Sequence, residues 1–225
     1  MSTPESSLEV ERKFAVGAGF ALPDLSTVPG VAAVTGPQTY HLTAIYLDTP
    51  GLDLAAAHIT LRRRSGGSDD GWHLKLPAGA GTRREVHAPL GPGTEPVPSE
   101  LAGLVADWTR GQPLRPIARL QTTRTVRRLT DAAGLMLAEV ADDEVTGSLP
   151  DRQFGATNVP ADWRTALVWR EVEIELGIGP AGLLDEAGRV LLAAGAQPSP
   201  AASKLALLLS AARPEGQDGT HSVDC

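Results

Sequence analysis

The sequence has little cysteine, little lysine and no long apolar run. Its one cysteine, Cys225, excludes an internal disulfide and a cysteine-rich metal site. No apolar run approaches the roughly 18 residues that a membrane-spanning helix needs. The polar segment 1–7 also lacks the apolar stretch of a secretory signal. We therefore expect a cytoplasmic protein that does not associate with membranes.

The chain also lacks an excess of positive charge. It carries 20 lysines and arginines against 27 aspartates and glutamates, a formal net charge of −7. Nucleic-acid binding depends on a basic face that neutralises phosphates, so this balance argues against general nucleic-acid binding. The basic residues include only three lysines, Lys13, Lys75 and Lys204. A compact ammonium is not interchangeable with a guanidinium, so these three positions are candidates for one shared site.

Alternation of apolar and polar residues predicts about eight strands. They are expected over residues 8–16, 39–48, 59–64, 72–76, 83–89, 120–130, 135–145 and 169–176, with helices over 99–109, 179–194 and 203–212. Residues 153–162 are expected to form a mobile loop, and the polar tail 214–225 to be disordered. Many antiparallel strands with few helices favour a mainly β fold, either a closed barrel or a sandwich.

The charges on these strands sort by sign. A strand with charges on alternate residues is usually half-buried with a solvated face, but a solvated face would mix the signs. Here the acidic sets are Glu9/Glu11 and Glu171/Glu173, and the basic sets are Arg62/Arg64, Lys75 and Arg124/Arg127. If the strands close with these faces inward, the interior is a polar tunnel, and the three helices cover the apolar outer faces.

Such an interior constrains what the protein binds. Unpaired buried ions cost several kcal/mol each, so the tunnel must stay hydrated and hold a ligand that compensates both signs. A metal-bound polyphosphate does this, because its oxygens contact arginine and lysine while divalent cations bridge other oxygens to carboxylates.

The motifs on the strands resemble one family. Glu9-Val10-Glu11-Arg12-Lys13 matches the ExExK signature on the first strand of the CYTH superfamily, the triphosphate tunnel metalloenzymes. The resemblance continues in order through Tyr46-Leu47-Asp48-Thr49, Leu61-Arg62-Arg63-Arg64, Trp72-His73-Leu74-Lys75, Arg83-Arg84-Glu85, Thr122-Thr123-Arg124, 139–143, Glu171-Val172-Glu173-Ile174-Glu175-Leu176 and Ser203-Lys204. It covers roughly residues 8–210 and includes all three lysines.

The resemblance implies a fold and a set of site residues. The fold is an eight-stranded antiparallel closed barrel with a polar interior, formed here by one domain over residues 1–213. The implied ligands of Mg²⁺ or Mn²⁺ are Glu9, Glu11, Asp143, Glu171 and Glu173. The implied phosphate-binding residues are Lys13, Arg62, Arg64, Lys75, Arg83, Arg124, Arg127 and Lys204, and Lys13, Asp143 and Lys204 are the implied catalytic residues. We favour Asp143 over Asp142 because it shares strand parity with Glu139.

The resemblance also implies an activity. We expect a metal-dependent triphosphatase acting on inorganic triphosphate first, and then on thiamine or nucleoside triphosphate. The expected partner is a small-molecule triphosphate or inorganic polyphosphate, with no nucleic acid and no membrane. Two alternatives stay open. One is an adenylate cyclase of the same fold, and the other is a non-catalytic module that binds polyphosphate or nucleotide.

Overall fold

The computed structural model describes residues 5–79, 82–91, 96–151 and 162–212. The strands are β1 (Glu5–Val16), β2 (Ala33–Val34), β3 (Gln38–Asp48), β4 (Thr60–Ser65), β5 (Gly71–Pro77), β6 (Thr82–Ala88), β7 (Arg115–Thr130), β8 (Met136–Pro150), β9 (Trp163–Leu176) and β10 (Gln197–Pro198). The helices are α1 (Asp53–Ala56), α2 (Ser99–Leu104), α3 (Ala106–Thr109), α4 (Gly182–Ala193) and α5 (Lys204–Ala211). The predicted tail 214–225 and nearly all of the predicted loop 153–162 lie outside the described residues.

The strands close into a barrel through β1. Their order is β1-β6-β5-β4-β3-β7-β8-β9, every neighbouring pair is antiparallel, and β9 pairs with β1. The first half of β1 pairs with β6 from Glu5 to Val10, and its second half pairs with β9 from Glu11 to Val16. Closure leaves no free edge among these eight strands. The prediction of a mainly β, eight-stranded antiparallel closed barrel is confirmed.

All eight predicted strands are present, and the differences lie at their ends. Strands β7, β8 and β9 extend well beyond their predicted bounds, because ladder pairing continues where the apolar alternation has stopped. The predicted helix over 99–109 is divided into α2 and α3 at Val105, whose φ of −112° is not helical. Two short strands, β2 and β10, and the single turn α1 carry no periodic signal long enough to predict.

Helices cover the outer faces of the barrel in two places. Helix α4 packs on β1, β8 and β9 in a cluster that contains Phe14, Val140, Val172, Ile174, Leu183, Leu184 and Leu191. The short helices α1, α2 and α3 pack on β4, β5 and β6 through Leu54, Leu61, Trp72, Leu74, Val86, Leu101 and Val105. These apolar residues alternate with the charged residues of the same strands. The outer cover expected for the barrel is present here.

Helix α5 departs from that expectation. Its Leu205 and Leu208 pack with Ala44, Tyr46, Leu120 and Val145. Leu120 shares strand parity with Arg124, and Val145 shares it with Asp143, so this cluster lies on the inner face of the barrel. In α5, Lys204, Leu205 and Leu208 are buried, whereas Ala206, Ser210 and Ala211 are exposed. Helix α5 therefore closes one end of the barrel, with one face packed on the inner faces of the strands, instead of covering the outside.

The start of α5 is fixed by a side-chain cap. The hydroxyl oxygen of Ser203 accepts a hydrogen bond from the backbone N–H of Ala206 at 3.1 Å, as expected for a serine at this position. The cap places Lys204, the first helical residue, on the side of the helix that faces the barrel interior.

In the part of the chain that the structure describes, no helix has the length and apolar character needed to cross a membrane.

Candidate functional site

The barrel interior encloses a cavity of about 210 Å³ with a strongly charged lining. The acidic lining residues are Glu9, Glu11, Asp69, Glu85, Glu139, Glu173 and Glu175, and the basic ones are Lys13, Arg62, Arg64, Lys75, Arg83, Arg124 and Lys204. Tyr46, Thr60 and Ser203 complete the lining. All three lysines of the chain therefore meet in one cavity, although they lie on β1, β5 and α5.

Three carboxylates converge beside this cavity. Asp143 on β8 pairs across the sheet with Glu171 on β9, and Glu173 is the next inward residue of β9. One oxygen from each of the three lies within 4.8 Å of the others, and all three residues are buried. Carboxylate oxygens so arranged are the ligands that Mg²⁺ and Mn²⁺ prefer.

Lysine and arginine neutralise this cluster from two sides. Lys204 Nζ lies 2.9 Å from Asp143 Oδ2, 2.7 Å from Glu171 Oε1 and 2.8 Å from Glu173 Oε1. Arg124 donates to both oxygens of Asp143 at 2.8 and 2.7 Å, and to Glu173 Oε2 at 2.9 Å. Burial disfavours the charge on Lys204, but the three carboxylates outweigh it and raise the pKa of its ammonium.

The donor set fits a divalent metal. The second oxygen of Glu171 accepts a hydrogen bond from Trp169 Nε1 at 2.7 Å, which orients the carboxylate as an outer-shell partner does in metal sites. Lys204 Nζ contacts all three carboxylates, so a cation bound by the same oxygens would compete with this ammonium. A metal at Asp143, Glu171 and Glu173 would thus release Lys204 toward the cavity.

Glu9 and Glu11 line the same cavity but do not belong to the converging group. Glu9 Oε2 lies 2.5 Å from Lys75 Nζ, and Glu11 Oε2 lies 2.9 Å from Lys13 Nζ. Lys13 also contacts Glu173 of the neighbouring strand. Burial, together with the nearby Glu85, raises the pKa of Glu9 to about 8 in spite of Lys75. The five predicted metal ligands are therefore divided between a converged trio and a pair held by lysines.

Arginines form the opposite wall of the cavity. Arg62 Nη1 lies 3.3 Å from the hydroxyl of Tyr46, and Arg64 contacts Asp69. The Nε atoms of Arg62 and Arg64 are buried without a hydrogen-bond partner among the residues that the structure describes. Burial and the charges of Arg62 and Arg124 lower the pKa of Arg64 to about 9. This wall has donors and positive charge that an anionic ligand would satisfy.

Strand parity decides which of Asp142 and Asp143 faces the barrel interior, and on which face of β7 Arg127 lies. Asp142 forms a two-pronged ion pair with Arg170, which also donates to the carbonyl oxygens of Ala18 and Phe20. Asp142 therefore lies on the outer face of β8, and Asp143 is the acid that faces inward.

The structure does not bring Arg127 into the cavity. It pairs with Val140 of the outer cluster under α4, because it lies three residues from Arg124 and hence on the opposite face of β7.

Arg83 reaches the cavity and also contacts the segment before α5. Its Nη2 donates to the carbonyl oxygen of Ala202 at 2.8 Å. This hydrogen bond joins β6 to the residues that precede Ser203 and Lys204. The Arg83 side chain thus lines the cavity and also holds the segment before α5 against β6.

Sequence reasoning gave no role to three residues that the structure places at this site. His73 Nδ1 lies 2.9 Å from Glu85 Oε1, and its Nε2 lies 3.0 Å from the backbone carbonyl oxygen of Asp69. Asp69 and Glu175 line the cavity itself. Parity could have found His73, which is two residues before Lys75, and Glu175, which is two residues after Glu173. No periodic signal marks Asp69, because it lies in a loop.

The curated proteins to which this chain is similar are longer than the chain itself. The chain is 43% identical over 218 residues to an uncharacterized protein of Mycobacterium tuberculosis, found in two strains. The alignment covers 94% of this chain and 42% of that protein. The chain therefore spans less than half the length of the curated relatives that it matches.

One solved structure shares the fold, and a second is reported with a lower score. A Bacillus halodurans protein described as a candidate adenylate cyclase superposes with a TM-score of 0.58 at 17% identity, over 89% of this chain and 96% of that one. A Hippeastrum protein, a candidate adenylyl cyclase with a dominant triphosphatase activity, gives a TM-score of 0.49 at 18% identity, over 90% of this chain and 95% of that one.

The family is shown by a family model that describes the CYTH domain. It matches residues 7–203, which include β1 with its ExExK motif and end just before Lys204. Proteins of this family bind small triphosphates, include triphosphatases and adenylate cyclases, and use divalent metals in the tunnel. By this match, and by its closed barrel with a charged interior, the chain belongs to the CYTH domain family.

Proposed function

We propose that this chain is a metal-dependent triphosphatase that releases the terminal phosphate of a triphosphate, with inorganic triphosphate as the preferred substrate. One observation carries the proposal. A cavity of about 210 Å³ is walled by arginines and lysines, and a buried carboxylate trio lies beside it and reaches its lining through Glu173. A metal-bound triphosphate compensates both signs at once, whereas a simple anion or a simple cation compensates one.

The basic wall would bind the phosphate chain. Arg62 and Arg64 carry buried donors without partners among the described residues, and Lys75 lies on the neighbouring strand. Positioned cations stabilise charge on the bridging and leaving oxygens during phosphoryl transfer, which is most of what a protein contributes to this reaction. Arg83 would add a contact near the start of α5.

The carboxylates would hold the metal. Asp143, Glu171 and Glu173 are its proposed ligands, with Glu9 and Glu11 completing the acidic side of the cavity. When bound, Mg²⁺ or Mn²⁺ would neutralise phosphate oxygens and ease deprotonation of the attacking water. Asp143 is kept ionised because Lys204 and Arg124 outweigh the effect of burial and lower its pKa.

Lys13 and Lys204 would act on the substrate as fixed positive charges. In this structure Lys13 contacts Glu11 and Glu173, and Lys204 contacts the carboxylate trio. With a divalent metal held by these acids, both ammonium groups would be free to contact phosphate oxygens. We propose that they stabilise the charge that develops on the leaving phosphate.

A substrate panel tests the proposal. Tripolyphosphate, thiamine triphosphate and ATP are each incubated with Mg²⁺ or Mn²⁺, and released orthophosphate is measured. We expect turnover that a chelator abolishes, with the highest kcat/KM for tripolyphosphate. Cyclic AMP formed from ATP would assign the cyclase alternative, and binding of all three without turnover would assign a non-catalytic module.

A further inference from the structure

The side chain of Trp169 joins helix α5 to the carboxylate trio. Trp169 lies two residues before Glu171 on β9, so both side chains are on the inner face of the barrel. The indole packs against the cluster that contains Leu205 and Leu208 of α5, and a Cβ at Gly147 of β8 would lie 3.0 Å from Trp169 Cζ3. Contacts with α5 and β8 therefore fix the position of the indole N–H.

Each carboxylate of the trio has one oxygen held by a fixed donor. Glu171 Oε2 accepts a hydrogen bond from Trp169 Nε1 at 2.7 Å. Arg124 donates through Nη2 to Glu173 Oε2 at 2.9 Å, and through Nε to Asp143 Oδ1 at 2.8 Å. Each acid therefore presents its other oxygen to the centre of the trio.

The position of Lys204 identifies these other oxygens. Its Nζ lies 2.7 to 2.9 Å from Glu171 Oε1, Glu173 Oε1 and Asp143 Oδ2. The Glu173 and Asp143 oxygens each have a second cationic contact, whereas Glu171 Oε1 is buried and has no hydrogen-bond partner among the described residues beyond its ion pair with Lys204. Glu171 Oε1 is thus the oxygen of the trio with the fewest partners, and the Trp169 hydrogen bond determines that this oxygen faces the centre.

Three single oxygens suit a small divalent cation better than a large one. Ca²⁺ takes about six to eight oxygen ligands and often binds both oxygens of one carboxylate, whereas Mg²⁺ takes about six and keeps several waters. A carboxylate with one oxygen held by an indole N–H binds a cation through its other oxygen without losing that hydrogen bond. Displacement of Lys204 is common to every cation, so it does not contribute to this preference.

We propose that Trp169 is a positioning residue that restricts Glu171 to one metal-binding oxygen and thereby makes the site select Mg²⁺ and Mn²⁺ over Ca²⁺. The inference rests on the proposed function, in which the trio holds the metal. Arg124 also neutralises the acids that it orients, whereas the indole N–H carries no charge. Removal of the indole N–H therefore changes the number of available oxygens and leaves the charge of the site as it is.

Trp169→Phe tests the inference, because it keeps an aromatic ring beside α5 and removes the N–H. Two control variants separate positioning from packing. Trp163→Phe changes a tryptophan of the same strand whose ring contacts Arg119 at 5.3 Å, and Leu208→Ala loosens the packing around the indole but keeps its N–H. For each protein without triphosphate, electron paramagnetic resonance measures Mn²⁺ binding, and competition by Mg²⁺ and by Ca²⁺ gives their affinities.

We expect Trp169→Phe to lower the ratio of Mg²⁺ affinity to Ca²⁺ affinity about tenfold, as outer-shell substitutions do to metal affinity, while both controls keep the ratio within about twofold of wild type. An unchanged or higher ratio in Trp169→Phe, or an equal fall in either control, would overturn the inference. A wild type that binds none of the three ions, or that prefers Ca²⁺, would also overturn it.

Two further measurements keep the outcome decisive. If Trp169→Phe does not fold, the ratio is measured on protein with 3-benzothienylalanine at position 169, in which sulfur replaces the N–H in a ring of nearly the same size. Orthophosphate release from tripolyphosphate is measured separately. A wild type that prefers Mg²⁺ but releases no orthophosphate would refute the proposed function, and the affinity ratio would still decide the role of Trp169.

Discussion

Lys204 Nζ lies 2.9 Å from Asp143 Oδ2, a contact that joins the first residue of α5 to the inner face of β8. It brings a lysine from the helix that closes the barrel end to an aspartate that is fully buried. The same ammonium contacts Glu171 and Glu173, so one side chain neutralises the acidic trio proposed to hold the metal. Stability and metal binding should therefore be linked through this residue.

The first prediction concerns Lys204→Met. Removing the ammonium leaves three buried carboxylates, which among the described residues keep Arg124 and Lys13 as cationic contacts, so the free energy of unfolding should fall by about 3 kcal/mol in chelator. Because Mg²⁺ or Mn²⁺ no longer competes with Lys204, the variant should gain more thermal stability from metal than the wild type does. Thermal unfolding with and without metal measures both effects.

The matched control for Lys204→Met is Ser203→Ala, which removes the adjacent helix cap. It should cost about 1 kcal/mol and leave the response to metal unchanged. A Lys204→Met variant that is as stable as wild type in chelator, or that responds to metal no more than wild type, would contradict the assignment of this cluster.

The second prediction compares Arg124→Ala with Arg127→Ala. Arg124 contacts Asp143 and Glu173, whereas Arg127 lies on the outer face of the same strand. The first substitution should lower kcat/KM for tripolyphosphate by about 100-fold or more, because it removes a positioned charge. The second should change it by less than about twofold. Equal losses in the two variants would show that strand parity does not define the site.

The third prediction concerns the pH dependence of stability through Glu9. Its pKa is raised to about 8 by burial and by Glu85, above its ordinary value of 4.5. Between these values the folded protein binds more protons than the unfolded chain does, so this residue makes stability fall as pH rises, by at most about 1.4 kcal/mol per pH unit. In chelator, Glu9→Gln should remove that decline.

Denaturant unfolding at several pH values between 5 and 8 measures this effect. The free energy of unfolding of Glu9→Gln minus that of wild type should increase steadily with pH across the window. A constant difference would mean that Lys75 keeps Glu9 ionised throughout, and the raised pKa would be excluded.

The fourth prediction concerns the position of α5. Leu208 is completely buried on the inner face, where a Cβ at Gly147 would lie 2.7 Å from Leu208 Cδ1. Leu208→Ala should therefore leave a cavity and lower the free energy of unfolding by about 3 kcal/mol. Leu192→Ala, at a position 42% exposed on α4, should cost less than about 1 kcal/mol. Urea unfolding measures both, and similar small losses would argue against a helix packed on the inner faces of the strands at the barrel end.

Strand parity explains how much of the site could be predicted. Alternation on β1 identifies Glu9, Glu11 and Lys13 as one face, and the same rule on β5 joins His73 to Lys75. These statements are reliable because side chains in a strand alternate with a period of two. The same rule separates Asp143 from Asp142, and it also places Arg127 opposite Arg124, which motif matching alone overlooks. Strand alternation cannot predict that Asp69 lines the cavity, because Asp69 lies in a loop and loops have no regular side-chain period.

The sequence by itself therefore determined the strands, their charged faces and the family that the motifs resemble. Only the tertiary structure decided which charges meet. Closure of β1 onto β9 brings Lys13 to Glu173, and burial of the leucines of α5 carries Lys204 to Asp143. The reason is physical: alternation is a local property of one strand, whereas contacts across the barrel depend on register, closure and helix packing over the whole chain.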